Sequence, residues 1–300
     1  MKILLATDGS HYSDGAARFL ARFDFAQTDE IAVLHVIHRR PFPHSGDPNY
    51  AALIKIGEEI APGIVDATAG LLKGLRAKVS TAVTTGHPAD AIVAVATQSG
   101  SDLIVMGNRG MKMIGSLLLG SVTRAVAINA PQSVLVVKPP QGKPDGPLKV
   151  LFATDGSEFA GETEKVLSLM PFHSETSVTV AYVSLSSYMD IPDKFSSRLD
   201  ERLRKIVAEM KETETNHAEK ILEQAQTRLK DKFQNVTALI KNGDPSEQIL
   251  DAARETGSDI IALGSRGMGG VRGLLGSVAR NVLAHADCSV LVCKRGKEMV

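Results

Sequence analysis

Ala6-Thr-Asp-Gly-Ser10 is written again, unchanged, as Ala153-Thr-Asp-Gly-Ser157, and each copy closes a predicted strand, Lys2–Thr7 or Lys149–Thr154. Farther along, Gly107-Asn-Arg-Gly-Met111 returns as Gly264-Ser-Arg-Gly-Met268, and Leu118-Leu-Gly-Ser-Val122 returns as Leu274-Leu-Gly-Ser-Val278. The aspartates at 8 and 155 stand 147 positions apart and the glycines at 107 and 264 stand 157 apart, so the second copy carries about ten extra residues. A period this long means two tandem domains rather than a solenoid of short units. Gln141-Gly-Lys-Pro-Asp-Gly-Pro147, rich in Pro and Gly, reads as a linker between domains at 1–140 and 148–300.

Within each copy, short β-branched runs alternate with longer helical stretches. The first copy predicts strands at Lys2–Thr7, Ile31–Ile37, Ala77–Val83, Asp102–Met106 and Ser133–Lys138, with helices at Ser13–Ala21, Ala51–Leu75, Pro88–Gln98 and Ser121–Asn129. The second predicts strands at Lys149–Thr154, Ser177–Val183, Val236–Ile240, Asp259–Leu263 and Ser289–Lys294. Continuous apolar runs such as Leu103-Ile-Val-Met106 and Ile260-Ile-Ala-Leu263 suit strands buried on both faces. They imply parallel sheets covered by helices. The fold class is therefore α/β, with two tandem doubly wound five-stranded parallel-sheet domains. The charged stretch from Lys194 to Glu219 mixes both signs and reads as a solvated helix face. The closing strands, Val134-Leu-Val-Val137 and Val290-Leu-Val-Cys293, would leave apolar edges unless they pair with each other.

Composition narrows the partners. Lys+Arg and Asp+Glu both number 34, so no bulk positive field draws in nucleic acid or a membrane surface. No apolar stretch approaches the roughly 20 residues of a membrane helix. The run at Ile3–Ala6 is too short for a signal-peptide core. Cys288 and Cys293 are the only cysteines, which excludes a disulfide framework and points to a reducing, cytoplasmic setting.

The glycines carry the functional reading. Glycine inside regular structure costs roughly 0.5–1 kcal/mol relative to alanine, yet four fall between Gly107 and Gly120. Gly107 and Gly110 let the chain leave the strand in conformations that other residues avoid. Gly120-Ser121 opens a helix, whose unpaired N–H groups and positive dipole end make an anion seat. Gly120 leaves room for a phosphate and Ser121 adds a hydroxyl. Arg109 and Arg266 either add charge or point to solvent. If the first and fourth strands are neighbours at the point where the winding reverses, Asp8 meets the Gly107 loop and Asp155 meets the Gly264 loop. A helix end contributes about 0.3–1 kcal/mol per charge, whereas micromolar binding takes about 8 kcal/mol. A phosphate alone is therefore too little, and base and ribose must be held as well. A carboxylate such as Asp8 repels phosphate, so it accepts from an amine or hydroxyl, or holds a metal that neutralises the phosphates. A Walker-type G-x-x-x-x-G-K-[ST] loop and a G-x-G-x-x-G fingerprint after the first strand are both missing from the sequence.

G-x-x-G, nine residues, then G-[ST] resembles the nucleotide-binding signature of the universal stress protein family. The first copy has it as Gly107-Asn-Arg-Gly110, Met111–Leu119 and Gly120-Ser121. The chain resembles a tandem member of the ATP-binding subtype, with an adenine nucleotide alpha hydrolase-like, Rossmann-like fold. The resemblance implies ATP, with Mg or Mn as the accompanying metal. It places adenosine on Asp8 and the main chain at Val36, and the ribose and phosphates on Gly107, Gly110, Gly120, Ser121 and Val122; Thr7, Met106 and Arg109 complete the candidate set of the first copy. The matching set in the second copy is Thr154, Asp155, Val183, Gly264, Arg266, Gly267, Gly276, Ser277 and Val278. It also implies a role in stress survival and signalling rather than turnover, an internal pseudo-dimer through the final strands, and a homodimer as a further association. The second copy departs from the pattern, because only eight residues, Met268–Leu275, precede Gly276. That shortening predicts weaker or altered binding there.

Blander readings compete. The glycine loops serve as tight turns for close helix packing, Asp8, Asp155, Ser121 and Ser277 serve as helix caps, and Ser10, Ser13 and Ser157 compete for capping. His35 and His38, three apart on a strand, face opposite sides and do not join in a metal site. His11 is the nearest candidate base, and no nucleophilic constellation assembles around it. The rival functions are a slow ATPase or nucleotidyl-transfer enzyme and a nucleotide-free interaction scaffold.

Overall fold

The computed structural model describes residues 1–39, 48–110, 119–138, 146–184, 200–267 and 275–294. The first copy runs β1 (Lys2–Thr7), α1 (His11–Leu20), β2 (Glu30–His38), α2 (Pro48–Gly70), β3 (Lys78–Gly86), α3 (Pro88–Gln98), β4 (Leu103–Gly107), α4 (Ser121–Asn129) and β5 (Ser133–Val137). The second runs β6 (Lys149–Thr154), α5 (Glu158–Leu169), β7 (Ser177–Ser184), α6 (Glu201–Leu229), β8 (Asn235–Asn242), α7 (Pro245–Thr256), β9 (Ile260–Gly264), α8 (Ser277–His285) and β10 (Ser289–Cys293). Predicted and observed bounds coincide at β1, β6, α3 and α4. The predicted helix to Leu75 instead stops at Gly70, and α1 begins two residues early because Ser10 caps it. Much of the predicted linker and both glycine-loop spacers (111–118 and 268–274) lie outside the described residues.

Among the described residues, ten strands join one sheet in the order β3-β2-β1-β4-β5-β10-β9-β6-β7-β8. Pairing is parallel within each half and antiparallel where β5 meets β10. β1 lies between β2 and β4, and β6 lies between β7 and β9. The winding therefore reverses beside the strands that carry Asp8 and Asp155, the neighbour relation that the site requires. Alternation across the pleat divides the core into two layers. Ile3, Leu5 and Val33 face α1, α2, α5 and α6, whereas Leu4, Ala6 and Leu34 face α3, α4, α7 and α8. Among the described residues, no helix is long and apolar enough to cross a membrane.

The β5–β10 seam joins the two copies as if they were separate subunits. Leu135 opposes Leu291, both fully buried. The Lys138 amide donates to Ser289 Oγ and the Lys294 amide donates to Ser133 Oγ, each at 3.2 Å. This reciprocity is the mark of a two-fold interface. The same lysines reach across to helix ends, Lys294 Nζ to the Ile128 carbonyl at 3.2 Å and Lys138 Nζ to that of Ala286. One flank is asymmetric. Arg22 grips Asp259 with two hydrogen bonds, at 2.8 and 3.3 Å, and the Phe23 and Phe172 rings lie 5.1 Å apart. Both cysteines are free thiols, and burial pushes Cys293 up to about 12.

α6 begins at Asp200, whose carboxylate accepts from the Leu203 amide at 2.8 Å. Its first four turns are mostly exposed, and burial starts at Ala218 and repeats at Leu222, Ala225 and Leu229. The expected solvated face is therefore the N-terminal part of the helix, where Leu203, Ile206 and Met210 are exposed among the charges. Lys194 and Arg198 lie outside the described residues.

Candidate functional site

At the end of β1 the chain turns through Gly9, whose φ of +77° is left-handed, and at the end of β6 it turns through Gly156 at +74°. Only glycine takes that conformation cheaply. The turn lets the Ser10 amide donate to Asp8 Oδ1 at 3.1 Å, and the Ser157 amide to Asp155 Oδ1 at 3.0 Å. Ser10 and Ser157 cap the following helices, accepting from the Ser13 and Ala160 amides. The aspartates are therefore not the caps, and each carboxylate is held at the mouth of its strand.

The glycines of the second motif serve a different purpose from the one the sequence suggests. None of Gly107, Gly110, Gly120, Gly264, Gly267 and Gly276 has a positive φ. They are small because other atoms come close. A β-carbon on Gly110 would stand 2.5 Å from Asp8 Oδ2, and one on Gly267 would stand 2.7 Å from Asp155 Oδ2. In both copies the aspartate therefore packs directly on the second glycine of the motif. A β-carbon on Gly107 would fall 2.7 Å from the Tyr12 carbonyl, so this glycine also seats α1 against β4. Both the packing reading and the site reading have a physical basis, at different glycines.

α4 and α8 start at Gly120 and Gly276, which have no side chain for a cap hydrogen bond. Ser121 and Ser277 are therefore the first helical residues and not the caps. The glycine amides themselves are engaged, Gly120 by the Asn108 carbonyl at 2.9 Å and Gly276 by the Ser265 carbonyl at 2.8 Å. Any anion seat consequently begins one residue later, at Ser121 and Val122 or at Ser277 and Val278.

Other predicted residues divide by position. Val36 and Val183 lie at the carboxyl ends of β2 and β7, beside β1 and β6. The Thr7 hydroxyl is buried, donating to Ser13 Oγ at 3.0 Å and lying 2.9 Å from Thr68 Oγ1. Met106 is buried in the core below the cleft. The Arg109 guanidinium lies over the Tyr12 ring at 5.8 Å, and that of Arg266 lies over Phe159 at 5.2 Å. Both arginines therefore stack at the cleft instead of pointing to solvent. The Arg266 Nε is buried with no hydrogen-bond partner among the described residues. The His11 ring lies 3.9 Å from that of Tyr12.

In the second copy a cavity of about 720 Å³ opens at this place. Thr154, Asp155, Val183, Gly264, Arg266, Gly267, Gly276, Ser277 and Val278 all line it. The size lies within the range of small-molecule sites, about 300–1,000 Å³. Tyr182, Glu214, Pro245, Ile249 and Arg280 also line it, and sequence reasoning missed them. Glu214 was hidden in the mixed-charge stretch, and Tyr182 in an apolar strand. Burial first, then Glu214 and Asp155, push the Tyr182 phenol above its ordinary value, so both carboxylates act on this one hydroxyl.

Comparison with known proteins agrees with this architecture. The model of the universal stress protein family matches residues 1–138 and again 148–294. A universal stress protein of Mycolicibacterium smegmatis is 26% identical over 305 residues, covering 97% of this chain and 96% of its own length. A single-copy relative from Thermus aquaticus is 36% identical over 136 residues, covering 45% of this chain and 97% of itself. Among solved structures, a universal stress protein from Archaeoglobus fulgidus superposes with a TM-score of 0.60 at 25% identity, covering 99% of this chain and 97% of that one. With the motif, the strand order and two successive family matches in agreement, the chain belongs to the universal stress protein family as a tandem member.

Proposed function

We propose that each copy holds an adenine nucleotide, ATP foremost, in the cleft between its first and fourth strands. On this reading the chain acts in the cytoplasm as a nucleotide-dependent regulator or protective factor in stress survival. The carrying observation is the second-copy cavity. All nine residues assigned from sequence line one space, with an aspartate on one side and an uncapped helix start on the other. The Arg266 Nε–H, which has no hydrogen-bond partner among the described residues, supplies a donor for an anionic oxygen. Asp155 and the Val183 main chain suit ribose hydroxyls and base edges, while Ser277 and Val278 suit phosphate. The first copy repeats the frame with Asp8 against Gly110 and α4 starting at Gly120. Its nine-residue spacer makes it the tighter site. Among the described residues no three His, Cys, Asp or Glu side chains gather around a metal position. Asp8 in the first copy and Asp155 in the second are the carboxylates that would hold Mg or Mn, which would offset the phosphate charge.

Mass spectrometry of small molecules released from chain purified without added nucleotide, paired with a melting curve in ATP, tests the reading. An adenine nucleotide released, and a melting temperature that climbs with ATP, are expected, since a ligand specific to the native state stabilises it. No nucleotide and an unmoved melting temperature would favour the scaffold reading.

A further inference from the structure

The structure aligns the two copies residue by residue. Thr7 pairs with His35 across β1–β2 and Thr154 pairs with Tyr182 across β6–β7, so Tyr182 stands where the first copy has His35. Two positions on in each strand, Ser184 stands where the first copy has Ile37. Ile64 of α2 packs on Gly9 and Ile221 of α6 packs on Gly156, which places Glu214 where the first copy has Gly57. The contacts agree independently. A β-carbon on Gly57 would lie 3.2 Å from Ile37 Cγ2, and the Ser184 hydroxyl donates to the Glu214 carboxylate. A glycine–isoleucine contact in one copy is thus a carboxylate–hydroxyl pair in the other, and the carboxylate lines the cavity beside Val183.

In the first copy His35 Nδ1 instead lies 2.9 Å from the Thr7 carbonyl. A charged carboxylate only accepts hydrogen bonds. At the rim of a cavity it favours a ligand edge that offers N–H and disfavours one that offers none. Resting on the nucleotide reading above, we propose that Glu214 is a base-reading residue confined to the second copy. It accepts from an exocyclic amine of the bound base, so the second cavity selects amino-purines through a contact that the first cleft lacks. Ser184 positions the carboxylate by donating to it, and Tyr182 closes the same wall.

The test is a binding cycle in the full chain, with the first cleft blocked by Gly110→Val, using adenosine and purine riboside, which differ only in the exocyclic amine. A hydrogen bond to a charged group is worth about 1.5–3 kcal/mol, roughly a tenfold change in affinity or more. Glu214→Ala should weaken adenosine by about tenfold or more and leave purine riboside within about twofold, since the cycle isolates the pairwise contact. In an otherwise unaltered chain, the transplant Ile37→Ser with Gly57→Glu should raise first-copy discrimination between the two nucleosides. Equal losses for both nucleosides would make Glu214 merely structural, and no loss for either would remove it from the site; each overturns the proposal while leaving the nucleotide reading intact. Failure of adenosine to bind the unaltered chain while ATP binds would overturn this proposal alone, and failure of ATP to bind would overturn the nucleotide reading and this proposal with it.

Discussion

Where the first copy has His35, Ile37 and Gly57, the second has Tyr182, Ser184 and Glu214, and of these Tyr182 and Glu214 line its cavity. Around these positions the frame is repeated closely. Asp8 and Asp155 accept from amides two residues on, at 3.1 and 3.0 Å, and press on Gly110 and Gly267. The repeated motifs thus hold the geometry of the cleft, and the residues that differ lie outside them, on the second strand and second helix. A duplicated domain keeps its turns because backbone conformation and close packing tolerate little change. The positions around those turns are freer to diverge.

The largest expected effect tests where the two copies are most alike. Leu135 and Leu291 face each other at the seam, both fully buried, so Leu135→Ala and Leu291→Ala should each cost about 2–5 kcal/mol in denaturant unfolding. Costs that differ widely between the two would show that the seam is not symmetric. Next come the glycines under the aspartates. Gly110→Val and Gly267→Val should each remove one nucleotide site, weakening it about a hundredfold, which is ~2.8 kcal/mol. Calorimetry on each variant should then count one site; two sites remaining in either would break the shared frame.

A smaller effect probes a difference. Thr123 Oγ1 donates to the Gly107 carbonyl at 3.0 Å and pins α4 to β4, whereas Ala279 occupies that place in α8. Thr123→Ala should cost about 1 kcal/mol in unfolding, the usual net value of one hydrogen bond. No change would mean that the bond does not distinguish the copies. The smallest effect concerns pH. Burial lowers the Lys294 ammonium from 10.5 to about 8. Between those values the unfolded chain keeps a proton that the folded chain has released, so this lysine's contribution to stability rises with pH across the window. Unfolding of the chain and of Lys294→Met should show their difference moving in favour of Lys294 from pH 8 upward. A flat or reversed difference would place the ammonium in solvent.

Much of this architecture was legible in the sequence because it rests on local chemistry. The apolar runs of β1, β4, β6 and β9, Pro88 opening α3 and Gly120 opening α4 set their elements within a residue or so. Pairing of the final strands followed from the cost of leaving Val134–Val137 and Val290–Cys293 as bare edges. Long-range approach was hidden. Nothing in the letters says that Gly107 is small because the Tyr12 carbonyl lies against it, or that the Gly120 amide is engaged by Asn108. The Arg22–Asp259 pair joins residues 237 positions apart. Glu214 looked like one charge among many, since only the packing of Ile221 on Gly156 brings its turn of helix over the cleft.

Calorimetric titration of the full, unaltered chain with ATP tests the account most directly. Saturable binding at two sites of unequal affinity, the tighter one lost in Gly110→Val, is the predicted result. The absence of saturable binding, or two indistinguishable sites, would contradict it.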